Sequence, residues 1–165
     1  HWLMAGIIML DLFVAQKFGN FMELPDRLES RVDHSTMGLI VLTLFVARLV
    51  LRFVYGAPKE GGTSPLWQVW LAKAAHGLLY VLMGLLVASG LLTAMSATSP
   101  IEIFGVFDIT LGRVDDVIFD FVRQFHEFFT EVIIGLIIVH VIAAFYHQFI
   151  RRDNLLLKML KFRRS

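Results

Sequence analysis

Four apolar runs, separated by polar connections, dominate the chain, at about 1–17, 35–55, 67–95 and 124–150. Each reaches or approaches the roughly 20 residues that a membrane-crossing helix needs. In lipid a helix satisfies its own backbone, and an open sheet does not. The pattern predicts an all-α fold, a four-transmembrane-helix bundle forming one domain over residues 1–165. Trp2, Trp67 and Trp70 fall where an interfacial aromatic belt is expected. Gly6, Gly38, Gly84, Gly90 and Gly135 lie inside the runs and allow close approach of helices or of a flat ligand, helix packing being the simpler reading of each.

The connections differ in character. Residues 18–34 hold Pro25 and mixed charge, and 56–66 hold Gly56, Pro58, Gly61, Gly62 and Pro65, a turn-rich link. Residues 96–123 are longer and acidic. Val114, Val117, Ile118 and Phe121 recur there at helical spacing between Asp115, Asp116 and Asp120, which predicts a short amphipathic helix on the membrane surface. The sequence opens on His1 rather than Met, so upstream residues are expected. The first run carries Asp11 and Lys17 without a small-residue cleavage site, and reads as a span rather than a signal peptide.

Charge orients the bundle. The link 52–73 has Arg52, Lys59 and Lys73 against Glu60, and the tail 151–165 has six basic residues against Asp153. The links 17–34 and 95–123 carry net charges of minus one and minus three. The positive-inside rule then places the second link and both termini in the cytoplasm. The basic tail marks topology and contact with anionic lipid. Composition agrees, at 57% hydrophobic with a mean hydropathy of +0.70. The absence of cysteine excludes disulfides, iron–sulfur clusters, thiol catalysis and C-x-x-C-H haem attachment. Nothing points to nucleic acid.

The candidate chemistry lies in the histidines. His126 and His140 are fourteen residues apart on one apolar run. On a helix that is about 40° short of four full turns and about 21 Å of rise, so both share a face with room for two flat cofactors. His34 lies at the same end of the membrane as His126, and the two form an outer pair. His1 lies at the inner end, where His140, His147 and His76 are all possible partners. His140 is preferred, because His147 is about 31 Å from His126 and would put a cofactor among the headgroups. An ionisable group within a span is a functional candidate by default. Neutral imidazole is a good axial ligand for haem iron, and two per iron close the site in favour of electron transfer. His76 and His147 are candidates for contacts around a haem, the plainer reading of His147 being a solvated helix-end residue. Arg48 and Arg52 either pair with haem propionates or snorkel to the interface, and Lys73 is similar. Asp11 is placed to relay protons or pair with a neighbour, and Glu131 to face a neighbouring helix or the outer haem. His126-Glu127 is not the start of an H-E-x-x-H zinc site, because position 130 is Thr.

Several segments carry a resemblance: His1-Trp2, His34, "VARLVLRF" at 46–53, "AAHGLLYVLMGLLVASGLL" at 74–92, "FHEFF" at 125–129 and "HVIAAFYHQFIRRDNLLLKML" at 140–160. Over nearly its whole length the chain resembles the bacterial cytochrome b561 family, within the larger group that includes hydrogenase and formate dehydrogenase cytochrome b subunits. The resemblance implies four transmembrane helices in a bacterial inner membrane and two non-covalent haem b groups. It also implies axial roles for His1, His34, His126 and His140. The expected activity is electron transfer between an outer-side donor and the quinone pool. Alternatives are a superoxide:ubiquinone oxidoreductase acting alone, a cytochrome b subunit of a larger respiratory complex, and a haem-free proton or metal transporter. The acidic outward links suit a basic redox protein better than the superoxide anion.

Overall fold

A computed structural model of the chain describes residues 1–16, 23–56, 65–112, 115–154, 156 and 159. The helices are α1 (Trp2–Gln16), α2 (Leu24–Tyr55), α3 (Leu66–Met95) and α4 (Asp116–Phe145), the last continuing as a π-helical turn at Tyr146–Ile150. Pro25–Tyr55, Leu66–Met95 and Asp116–Ile150 are long and apolar enough to cross a membrane, and Trp2–Ala15 is a shorter apolar helix. Packing follows chain order: α1 lies against α2, α2 against α3, and α3 against α4. Buried side chains include Val41 and Phe45 on α2, Leu82 and Ser89 on α3, and Ile133 on α4. Apolar side chains such as Phe53, Trp67, Leu71, Val139 and Phe149 are exposed, as expected of surfaces meant for lipid.

Two helices start earlier than the hydropathy pattern predicts. α2 begins at Leu24 instead of 35, with Pro25 in its first turn, where a missing N–H leaves no bond unmade. Asp26, Arg27, Glu29, Arg31 and Asp33 follow without interrupting it. Charge determines where a helix leaves hydrocarbon, not where it begins. The 32 residues of α2 span about 48 Å, against a hydrocarbon core of about 30 Å. α4 likewise begins at Asp116, and the Asp115 carboxylate caps it by accepting the Val117 N–H at 2.9 Å. The separate surface helix expected over 114–121 is therefore the opening of α4. Val117, Ile118 and Phe121 are exposed there, and Val114 lies outside the described residues. So do Lys17, Lys59, Glu60, Arg113, Lys158, Lys161, Arg163 and Arg164, which contribute to the orientation argument.

A small hairpin lies between α3 and α4. β1 (Glu102–Ile103) pairs antiparallel with β2 (Phe107–Asp108). Phe104 and Gly105 turn the chain with φ of 54° and 66°, the left-handed region that a tight hairpin requires. Ile101 and Ile103 are buried with Ala94 and pack against Leu39, Ala97 and Ile109, which seats the hairpin on one end of the bundle. By the charge pattern this is the outer end.

Asp108 holds the base of the hairpin. Its Oδ1 accepts the Thr110 N–H at 2.9 Å, the Thr110 hydroxyl at 2.7 Å and the Ile101 N–H at 3.3 Å. The Thr110 amide bond is the main reason that its carboxyl titrates below the ordinary aspartate value, with the Thr110 hydroxyl adding to it. The folded value is the depressed one. The carboxylate therefore contributes its full stabilisation above the ordinary value and loses it as pH falls through the lowered one. Amide protection at Ile101 and Thr110, taken relative to the unstructured rate at the same pH, should be lost in Asp108→Ala at neutral pH, and in the native protein only at acid pH. Unchanged exchange in the variant would show that the hairpin does not depend on this carboxylate.

Candidate functional site

The described structure places histidine rings together at two depths. His34 on α2 faces His126 on α4 with ring centres 6.1 Å apart. His1, just ahead of α1, faces His140 on α4 at 6.5 Å. The fourteen-residue step along α4 separates the two pairs by about 21 Å. Both join elements, α2 with α4 and the α1 terminus with α4, that are not among the closely packed helix pairs. The imidazoles thus reach across gaps that the backbones do not close.

The spacing can be tested against haem chemistry. A metal–imidazole bond of about 2.0 Å on each side, plus about 1.1 Å from nitrogen to ring centre, puts trans imidazole centres about 6.2 Å apart. The two pairs fall close to that value. A pair of imidazoles would hold a metal that is already bound in a macrocycle. Among the described residues no group of three or more His, Cys, Asp or Glu side chains is arranged to hold a bare metal ion. The donor set fits haem.

Hydrogen bonds around the outer pair fix which nitrogen is available. His34 Nδ1 donates to Asp11 Oδ1 at 2.7 Å, and Asp11 is only 13% exposed. Ser89 directs its hydroxyl proton to the Leu85 carbonyl at 2.7 Å, so its oxygen accepts from His126 Nδ1 at 3.0 Å. With Nδ1 of each ring engaged in this way, Nε2 is the nitrogen that each would offer to a metal. Metal-bound histidines are oriented in this way, by a partner on the far nitrogen. Gly90, next to Ser89, lets the His126 ring lie on the α3 backbone: a Cβ there would stand 2.9 Å from His126 Cε1 and 3.4 Å from Nδ1.

The inner end is more crowded. The exposed His76 ring on α3 lies 5.5 Å from His140, closer than His1 does. Arg48 on α2 donates from Nε to the Tyr80 hydroxyl at 2.9 Å, one turn along α3 from His76. Arg52 is exposed in the last turn of α2. His147 lies in the π-helical turn and donates from Nδ1 to Asp153 Oδ2 at 2.6 Å. Arg151 donates to Gln68 Oε1 at 2.8 Å, tying the end of α4 to the start of α3. Lys73 sits 5.7 Å over the Trp70 ring, and Glu131 is exposed.

Asp11, expected either to relay protons or to pair with a neighbour, pairs with His34. Gly90, expected to allow close approach of a helix or a flat ligand, is approached by the His126 ring. Ser89 and Tyr80 were not foreseen from the sequence, where the available signals were a Ser-Gly step within an otherwise apolar run and an aromatic hydroxyl one turn from His76.

Gly90→Val should force the His126 ring off α3 and reduce haem bound per chain, measured by pyridine haemochrome. Gly84→Ala is the control, because its Cβ would meet only Phe45, at an ordinary 3.6 Å. Equal haem in both variants would show that the Gly90 contact does not position the ring.

Comparison with known proteins identifies the family. The family model described as prokaryotic cytochrome b561 matches residues 1–162. A cytochrome b562 of Cereibacter sphaeroides is 31% identical, over 98% of this chain and 90% of its own length. Cytochrome b561 homolog 1 of Escherichia coli is 26% identical, over 79% and 74%. The probable superoxide oxidase CybB of Yersinia pestis is 23% identical, over 82% and 77%. A match along nearly the whole chain, on a helical bundle with histidines paired between helices, makes this protein a member of the prokaryotic cytochrome b561 family, a multi-pass membrane protein of haem-b electron transfer.

Proposed function

We propose that the chain carries electrons across a bacterial inner membrane through two bis-histidine haem b groups, between a donor at the outer face and the membrane quinone pool. The observation behind this reading is the recurrence of one ring spacing at two depths, 6.1 Å for His34 with His126 and 6.5 Å for His1 with His140. His34 and His126 are the proposed axial pair of the outer haem, and His1 and His140 that of the inner. His76, on α3 with its ring 5.5 Å from that of His140, is assigned to the surroundings of the inner haem, which it would contact. Arg48, and Arg52 one turn further on, are the proposed partners of the inner propionates. Haem b, when bound by two imidazoles, supplies a one-electron ferric/ferrous couple closed to further ligands. Asp11 and Ser89 hold the ligand rings in the tautomer that presents Nε2. The His147–Asp153 pair puts a protonatable group at the inner end, as quinone chemistry requires.

A second reading makes superoxide the outer-side donor. One relative carries the name probable superoxide oxidase. Arg31 and Arg123 line a cleft with Asp120 and Phe119, each three residues ahead of an outer-pair histidine. Two guanidiniums at that position favour an anion despite the acidic links around them.

Purified protein should yield two haem b per chain by pyridine haemochrome. His140→Ala and His126→Ala should each lose about one. A single haem in the native chain, or two retained in either variant, would overturn the pairing. Reduction of the loaded protein by superoxide, compared with a reduced basic c-type cytochrome over a range of ionic strength, distinguishes the two donors.

A further inference from the structure

We infer that Asp11, acting through His34, sets the outer haem at a lower reduction potential than the inner one, so that the protein's own charges make electron flow downhill from the outer face inward. This rests on the two-haem reading above. The charge in closest contact differs between the two pairs. At the outer pair a carboxylate accepts directly from a ligand ring, Asp11 Oδ1 to His34 Nδ1 at 2.7 Å, and it is nearly enclosed. The other outer ring bonds the neutral Ser89 hydroxyl. The guanidiniums of Arg31 and Arg123, one turn from the outer-pair histidines, are exposed and screened by solvent, so the enclosed Asp11 carboxylate is the stronger influence. At the inner pair the nearby charge is positive. Arg48 is half-buried, bonded through Nε to Tyr80 at 2.9 Å with its guanidinium 5.8 Å from the Tyr80 ring centre. Tyr80 lies one turn from His76, whose ring touches the His140 side of the inner site.

Each feature moves a potential in a definite direction. A carboxylate accepting from the far nitrogen makes the ligating nitrogen more basic and favours ferric iron. Hydrogen bonding to the ligand and local charge are levers on haem potential. A guanidinium beside the inner site favours the electron and raises its potential, and the low dielectric of the bundle strengthens both effects. They add to the gap between the haems. Asp11 is a positioning residue here. It touches neither iron nor substrate and acts through His34.

The test is spectroelectrochemical titration of the purified, haem-loaded protein. The native chain should show two components, and the lower one should be the component that remains in His140→Ala. Asp11→Asn keeps the shape and removes the charge. It should favour reduction of the lower component by about tenfold, which is about 59 mV for a one-electron couple, and leave the upper one in place. Arg48→Gln should lower the upper component and leave the lower. If Asp11→Asn is recovered without the outer haem, Asp11→Glu is titrated instead. It keeps the carboxylate and should retain a potential below that of the inner haem, and a rise to the inner value would overturn the inference. Both potentials unmoved by Asp11→Asn and Arg48→Gln, or an Asp11-sensitive component that is the upper one, would also overturn it. A native chain with fewer than two haems would remove the underlying reading instead, so the two failures are distinguishable.

Discussion

An imidazole within a membrane has two nitrogens and no water to satisfy them, and the arrangement of this bundle follows from that constraint. At the outer pair the protein takes up one nitrogen of each ring, with a carboxylate at His34 and a hydroxyl at His126. In hydrocarbon a polar atom without a partner costs several kcal/mol, on the order of 2–7, so each ring is held where its partner stands. The two ring centres then lie 6.1 Å apart, the spacing across which the proposed metal-centred group would be held. The close contact at Gly90 has the same origin, because the ring must lie against α3 to reach Ser89.

Much of this was legible in the sequence because helical periodicity is rigid. The step from His126 to His140 determines both a shared face and a depth, and nothing in α4 between them interrupts the helix. The outer partner, His34, followed from depth alone. Depth set His147 aside but could not rank His1 against His76 beside His140, and the structure shows why: both approach it, from different elements. The roles of Ser89 and Tyr80 depend on which side of α3 meets which neighbour. That is a property of tertiary packing and leaves no periodic trace.

The helix ends lie beyond the predicted spans for a different reason. Hydropathy reports the edge of the hydrocarbon, whereas helix ends are determined by caps and backbone constraints, here Pro25 and Asp115. Between these edges lie polar helical extensions that put Arg31 and Arg123 on rigid backbone beside the outer pair. The hairpin at 102–108 escaped notice because strands of two residues carry no alternation to read, and Phe104-Gly105 lacks the usual Asn-Gly or Asp-Gly signature of a tight turn.

The backbones of α1 and α4 are joined through side chains and not by close helix contact. Whatever bridges those side chains is then part of what holds the first helix to the last. A ligand that binds only the assembled form stabilises it in proportion to its abundance. On the proposed two-haem reading, the lifetime of this polypeptide would be tied to porphyrin supply: in a cell short of iron the first and last helices would lack their bridge and lie open to proteolytic turnover.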